Sequence, residues 1–214
     1  MTDIDFTPGS DLTAINAELA GKKPEEIISW AASLDKRTIM TTTFGDHSAV
    51  ILHMVTSIMP HINIIWVDTG YNSSATYRFA DKLMNWLDLK VQIFSPLMTS
   101  ARRNVLMKGI PEVGEPLHDE FTRQVKLEPF ERAFREIKPE VWITGVRSEQ
   151  TEHRKNLDIV SWTKEGYLKV APILDWTEKD LDDYLDEHKL PNEPDYFDPT
   201  KGQETRECGL HTKF

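Results

Sequence analysis

Apolar residues recur at helical spacing from Lys23 to Leu34, where Ile27, Ile28, Ala31 and Leu34 share a face and Pro24 suits a first turn. Thr38–Phe44 is a β-branched run closed by Gly45, and residues 46–58 return to helical spacing through Val50, Ile51, Met54, Val55 and Ile58. Ile62–Val67 is short and nearly continuously apolar, as a parallel strand covered on both faces should be. Asp68-Thr69-Gly70 then turns the chain into a helix over Ser73–Leu87, and Lys90–Phe94 reads as a third strand. Strand and helix alternate three times, which predicts right-handed βαβ units and a mostly parallel, twisted α/β sheet flanked by helices.

Beyond the third strand the pattern loosens. Ser95–His118 is punctuated by Pro and Gly and predicts irregular chain with a short helix around Arg102–Met107. Helical spacing resumes over Asp119–Ile137, with a kink or break near Pro129. Val141–Thr144 is a fourth strand ending at Gly145, and Asp158–Trp162 with Tyr167–Val170 form a hairpin about Lys164-Glu165-Gly166. Thr177 to Asp180 resembles a capping box, followed by Leu181, Tyr184, Leu185 and His188 on one face. Pro191, Pro194, Pro199 and Gly202 prevent regular structure afterwards, which divides the chain into an α/β domain, 1–190, and a flexible C-terminal tail, 191–214.

Composition narrows the function. The 214 residues carry 25 Lys and Arg against 35 Asp and Glu, a net charge of −10, which disfavours nucleic acid and anionic membrane as partners. One cysteine excludes an internal disulfide framework and any cluster needing four cysteines of one chain. No apolar run approaches the roughly 18 residues of a membrane span. Met1–Asp11 carries three aspartates and no basic residue, unlike a signal or transit peptide. A soluble, reducing, cytoplasmic setting is expected.

Four segments could carry chemistry. Thr43-Phe44-Gly45-Asp46-His47-Ser48 joins a strand to a helix and offers hydroxyls, close backbone approach at Gly45 and a helix N-terminus to an anion. It lacks the Gly-Lys-[Ser/Thr] ending of a Walker loop, and by spacing alone an ordinary capped βα turn is the favoured reading. Asp68-Thr69-Gly70-Tyr71 lies at the carboxyl end of the next strand, the edge where open α/β sheets bind ligands. Gly145-Val146-Arg147-Ser148-Glu149-Gln150, with Arg154, follows the fourth strand; Arg147 suits sulfate or phosphate oxygens, or a plain ion pair with Glu149 or Glu152. In the tail, Arg206 and His211 flank Cys208 and would favour its thiolate, while Glu207 would oppose it.

Taken in order, these segments together with Trp66-Val67, Lys126-Leu127-Glu128-Pro129, Pro172-Ile173-Leu174-Asp175-Trp176 and Glu207-Cys208-Gly209-Leu210-His211 resemble the phosphoadenylyl-sulfate reductases. The resemblance spans about residues 25–211 and implies an adenine-nucleotide α-hydrolase-like fold with a modified pyrophosphate loop at 43–48. It implies a 3′-phosphoadenylyl sulfate substrate, reduced to sulfite and adenosine 3′,5′-bisphosphate through an S-sulfocysteine on Cys208. Thioredoxin or glutaredoxin would be the reductant, with no bound cofactor or metal, and related enzymes commonly form homodimers. By the same resemblance Cys208, His211 and Arg206 are catalytic, and Thr43, Gly45, Ser48, Asp68, Thr69, Gly70, Lys126, Arg147, Gln150 and Lys201 bind substrate.

Two departures qualify it. Related adenylyl-sulfate reductases carry a Cys-Cys pair where this chain has Glu120-Phe121-Thr122, and a later Cys-x-x-Cys that is missing here, which favours the phosphorylated substrate. The Gly-Tyr-x-Ser-Ile-Gly-Asp loop and basic stretch usual before the cysteine are also absent; Arg102, Arg103 or Lys108 are candidates to replace their anion-binding groups. The competing readings are an adenylyl-sulfate reductase, a pyrophosphatase of the same fold that dispenses with Cys208, and a non-catalytic nucleotide-binding module.

Overall fold

The computed structural model describes residues 5–201. Two short helices, α1 (Thr13–Leu19) and α2 (Pro24–Ser33), precede β1 (Thr38–Thr42), α3 (Ser48–Ile58), β2 (Asn63–Val67), α4 (Ser74–Trp86) and β3 (Val91–Phe94). Then come α5 (Ser100–Met107), α6 (His118–Thr122), a π-helical turn (Arg123–Leu127), α7 (Glu128–Ile137) and β4 (Val141–Ile143). Two 3₁₀ turns, β5 (Val160–Trp162), β6 (Leu168–Val170) and α8 (Glu178–His188) complete the order.

The strands form one sheet in the order β3-β2-β1-β4-β6-β5. All neighbours are parallel except the β5–β6 hairpin at one edge. Met40 of β1 pairs with Ile64 of β2 on one side and Ile143 of β4 on the other, so β1 is central. Period-two alternation explains the continuous apolar runs. Met40, Ile64, Trp66, Val141 and Ile143 face one core, packed with side chains of α2, α3, α4 and α8. Ile39, Ile65 and Trp142 point the other way, into a second core with Phe130, Ala133 and Phe134 of α7. There Trp142 is 1% exposed, meets both phenylalanine rings edge-on, and donates from Nε1 to Thr41 Oγ1 at 2.9 Å.

Three departures from the predicted elements have physical causes. Helix α1 was not anticipated: it has only Ile15 and Leu19 buried and no side-chain cap to announce it. Its Asn16 clamps the edge strand, exchanging 2.9 Å hydrogen bonds with Val160 N and O. Asp119–Ile137 is interrupted before Pro129 rather than at it. Pro129 falls in the first turn of α7, where a missing N–H costs little, and Glu128 N donates to Arg123 O across the wider turn. Residues 191–201 are irregular as anticipated, yet they are pinned to the domain by hydrogen bonds from His47, Ser73 and Thr76. No helix among the described residues is long and apolar enough to cross a membrane.

Candidate functional site

Strands β1, β2 and β4 all end at one cavity of about 550 Å³, a size that suits a small-molecule ligand. The loop after β1 forms one wall. Phe44 (φ 49°) and His47 (φ 58°) both adopt left-handed backbone, unusual for side chains of that bulk. Three contacts hold them there: Phe44 is fully buried, its N–H donates to Thr42 Oγ1 at 3.1 Å, and the His47 N–H donates to Asn192 Oδ1 at 2.8 Å. The His47 ring bridges Asp46 (3.0 Å) and Asp182 of α8 (2.8 Å), so its role is to anchor the loop. Gly45 is required by space rather than by φ: a Cβ there would lie 2.9 Å from Cγ of Tyr196. Ser48 Oγ, at the N-terminus of α3, is buried on this wall with no hydrogen-bond partner among the described residues.

Lys126 enters from the π turn. Its side chain is 6% exposed and forms an ion pair with Asp198, which is equally buried. Burial alone would raise the Asp198 carboxyl pKa. The Lys126 ammonium, with hydrogen bonds from Lys126 and Thr200, outweighs that and holds it below its ordinary value. Thr200 donates to Asp198 Oδ1 from both N (3.0 Å) and Oγ1 (2.7 Å), leaving Oδ2 for the lysine.

Arg147 borders the cavity after β4. It pairs with Glu149 and reaches the Trp176 carbonyl at 3.3 Å, so the ion pair expected as the competing reading is present, though the arginine side chain is only 11% exposed. Gln150 accepts from Arg147 N at 3.1 Å and from Arg154, organising this loop.

Thr43, Gly45, Ser48, Thr69, Lys126, Arg147, Gln150 and Lys201 therefore line one space, although they come from widely separated segments. Asp68 and Gly70 are adjacent to it rather than on its lining. Asp68 Oδ1 accepts from Gly70 N (2.9 Å), Asn72 Nδ2 (3.0 Å) and the Tyr77 hydroxyl (2.8 Å), so it shapes its own loop. Burial and the Asp68 hydrogen bond push the Tyr77 phenol up to about 12. Among the anion-binding substitutes considered, Arg103 is fully buried and bonds Gln124 and the Met98 carbonyl, while Arg102 and Lys108 are exposed; none lines the cavity. Arg154 and Lys201 do. Cys208, Arg206 and His211 lie outside the described residues.

Sequence reasoning missed Asn192, Tyr196 and Asp198. The segment's prolines signalled only irregular chain, and nothing local marks a partner 72 residues away. Among the described residues no cluster of His, Cys, Asp or Glu is arranged to hold a metal ion.

A mostly parallel sheet covered by helices, with a glycine-bearing loop of left-handed backbone at the carboxyl ends of its strands, defines an α/β protein with its ligand cavity at that edge of the sheet. The family model of the phosphoadenosine phosphosulfate reductase domain matches residues 37–198, and the chain belongs to that family. It is 39% identical to the phosphoadenosine 5′-phosphosulfate reductase of a Synechocystis strain, covering 88% of this chain and 76% of that one. It is 38% identical to the protein of the same name from a Synechococcus strain, covering 86% and 79%. The crystal structure of the phosphoadenylyl-sulfate reductase from Candida auris, a phosphate complex, superposes with a TM-score of 0.73 at 23% identity over 89% of this chain and 90% of that one, a likeness of fold.

Proposed function

We propose that this chain reduces 3′-phosphoadenylyl sulfate to sulfite and adenosine 3′,5′-bisphosphate, using thioredoxin or glutaredoxin as reductant. The observation that carries the reading is the convergence of the 43–48 loop, Lys126 and Arg147 on one cavity whose rim also holds Lys201. Cys208 lies seven positions beyond Lys201, a span of at most about 25 Å, so the chain is long enough to bring the thiol to this cavity.

The adenine nucleotide would lie along the loops after β1 and β2, with its anions toward Ser48, Lys126 and Arg147. Cations there would screen the sulfonyl oxygens that otherwise repel an approaching thiolate. The Cys208 thiolate, favoured by Arg206 and His211, attacks sulfur and breaks the sulfur–oxygen bond. Adenosine 3′,5′-bisphosphate departs and an S-sulfocysteine remains. One reductant thiol then attacks the Cys208 sulfur and expels sulfite, and its second thiol closes a disulfide that returns Cys208, so the reductant supplies both electrons. Residues 191–214 form the segment that carries the thiol in this scheme, with 1–190 as the nucleotide-binding domain. A homodimer in the cytoplasm completes the proposal.

Mixing the chain with 3′-phosphoadenylyl sulfate in the absence of reductant should place a sulfonate on Cys208, seen by mass spectrometry. The substitution Cys208→Ser should abolish both the adduct and sulfite release. An unmodified Cys208 after complete mixing, or pyrophosphate release from ATP that survives Cys208→Ser, would refute this mechanism in favour of a pyrophosphatase.

A further inference from the structure

Residues 192–201 cross the rim of the cavity as a strap. Asn192 holds the loop after β1 through the His47 N–H (2.8 Å) and Asp46 Oδ1 (2.6 Å). The Asp195 carbonyl accepts from Ser73 (3.1 Å) and Thr76 (3.3 Å) at the start of α4. Just beyond these ties Tyr196 packs on Gly45, and two residues later Asp198 meets Lys126. The strap thus binds both nucleotide-facing loops, and it places a carboxylate on one of the cations that an anionic ligand would need.

Two properties make this more than an ordinary ion pair. Both side chains are 6% exposed, so water cannot take the place of either partner at little cost, and one charge left alone would be strongly disfavoured. A ligand that reaches Lys126 must therefore exchange one anion for another. Moreover, Asp198 is tied by Thr200 into a compact turn, so its carboxylate moves with the strap and not by side-chain rotation alone.

We propose that Asp198 is a specificity-determining residue, an internal anion that reserves Lys126 for ligands carrying an anionic group able to displace it. Only such a ligand would release the strap from the rim. The inference rests on the nucleotide-binding reading above. Adenosine, which has no charge to offer Lys126, would leave the strap in place; adenosine 3′,5′-bisphosphate would dislodge it.

Calorimetric titration of the full chain with these two ligands tests it. Asp198→Asn keeps an acceptor for Thr200 and removes the charge, and should tighten bisphosphate binding about tenfold while leaving adenosine unchanged. Asn192→Ala loosens the strap without touching Lys126 and should tighten the bisphosphate by a smaller factor. In the unsubstituted chain, saturating bisphosphate should speed amide hydrogen exchange across 192–201. Bisphosphate affinity that is equal or weaker in folded Asp198→Asn, or adenosine tightening by the same factor, overturns the proposal while leaving the reductase reading intact. Exchange across 192–201 that the ligand leaves unchanged or slows does so too. Should Asp198→Asn not fold, Asn192→Ala and the exchange measurement decide between the same outcomes. Absence of any adenine-nucleotide binding by the unsubstituted chain overturns both readings.

Discussion

Of the cations that border the cavity, Lys126 and Arg147 each already have a carboxylate, yet the two pairs are built differently. Arg147 meets Glu149 two residues along the same loop, and that carboxylate is 42% exposed. Lys126 meets Asp198 from across the fold, and both partners are buried. The first pair costs little to form and little to lose, because solvent screens it and the loop brings the partners together anyway. The second joins the π turn to the strap, so its state is felt in both. Proximity in sequence yields a local adornment; proximity earned by folding yields coupling.

Breaking each pair should sharpen that contrast. Lys126→Ala strands Asp198 as a buried charge and should cost about 3–5 kcal/mol in urea unfolding. A loss below about 1 kcal/mol would show that water reaches the pair. Gly45→Ala sets a methyl group against the Tyr196 ring and should cost about 1–3 kcal/mol, with the strap's amides exchanging faster. An unchanged exchange rate across 192–201 would mean that the ring is not what holds the strap. Glu149→Gln should change stability by less than about 1 kcal/mol, read as a small shift in the same unfolding midpoint.

Acid provides a milder probe. The Asp198 carboxyl is held below its ordinary value of 3.8 in the folded chain. Its ionised form therefore stabilises the fold above that value, and the contribution is lost as pH falls through the lower, folded-state pKa. The stability difference between the unsubstituted chain and Asp198→Asn should be constant near neutrality and shrink only below about pH 4. A difference that already fades between pH 5 and 7 would contradict the depressed value.

The same division governs how much could be read from the sequence. Strand β2 was legible because Ile64, Ile65 and Trp66 report burial on both faces in three consecutive positions. The loops at 43–48 and 145–150 were legible because they sit where strands end, and topology gathers strand ends into one place. The contacts of the strap were not. Asn192, Tyr196 and Asp198 carry no periodicity, and their partners at 46–47, 45 and 126 are fixed only once the sheet exists. Arg103 shows the converse: its charge drew it into the candidate anion site, whereas its neighbours bury it beside Gln124. Composition names possible ligand groups; only packing decides which of them see the ligand.

The π turn between α6 and α7 has a geometric consequence. A wide turn admits one residue more than the α-helical ladder would, and each residue of an α-helix carries about 100° of rotation. The two helices on either side are thereby set out of phase along what is nearly one cylinder. Phe121, before the turn, meets Tyr71 of the loop after β2 with ring centroids 5.3 Å apart, while Phe130 and Phe134, after it, lie against Trp142 of the sheet. Nine residues of regular helix would set Phe121 and Phe130 on opposite faces, about 180° apart; the turn works as a rotary offset that brings their directions closer. Lys126 rides on that offset, so removing one of residues 123–125 should swing its ammonium off the cavity although the lysine itself is kept.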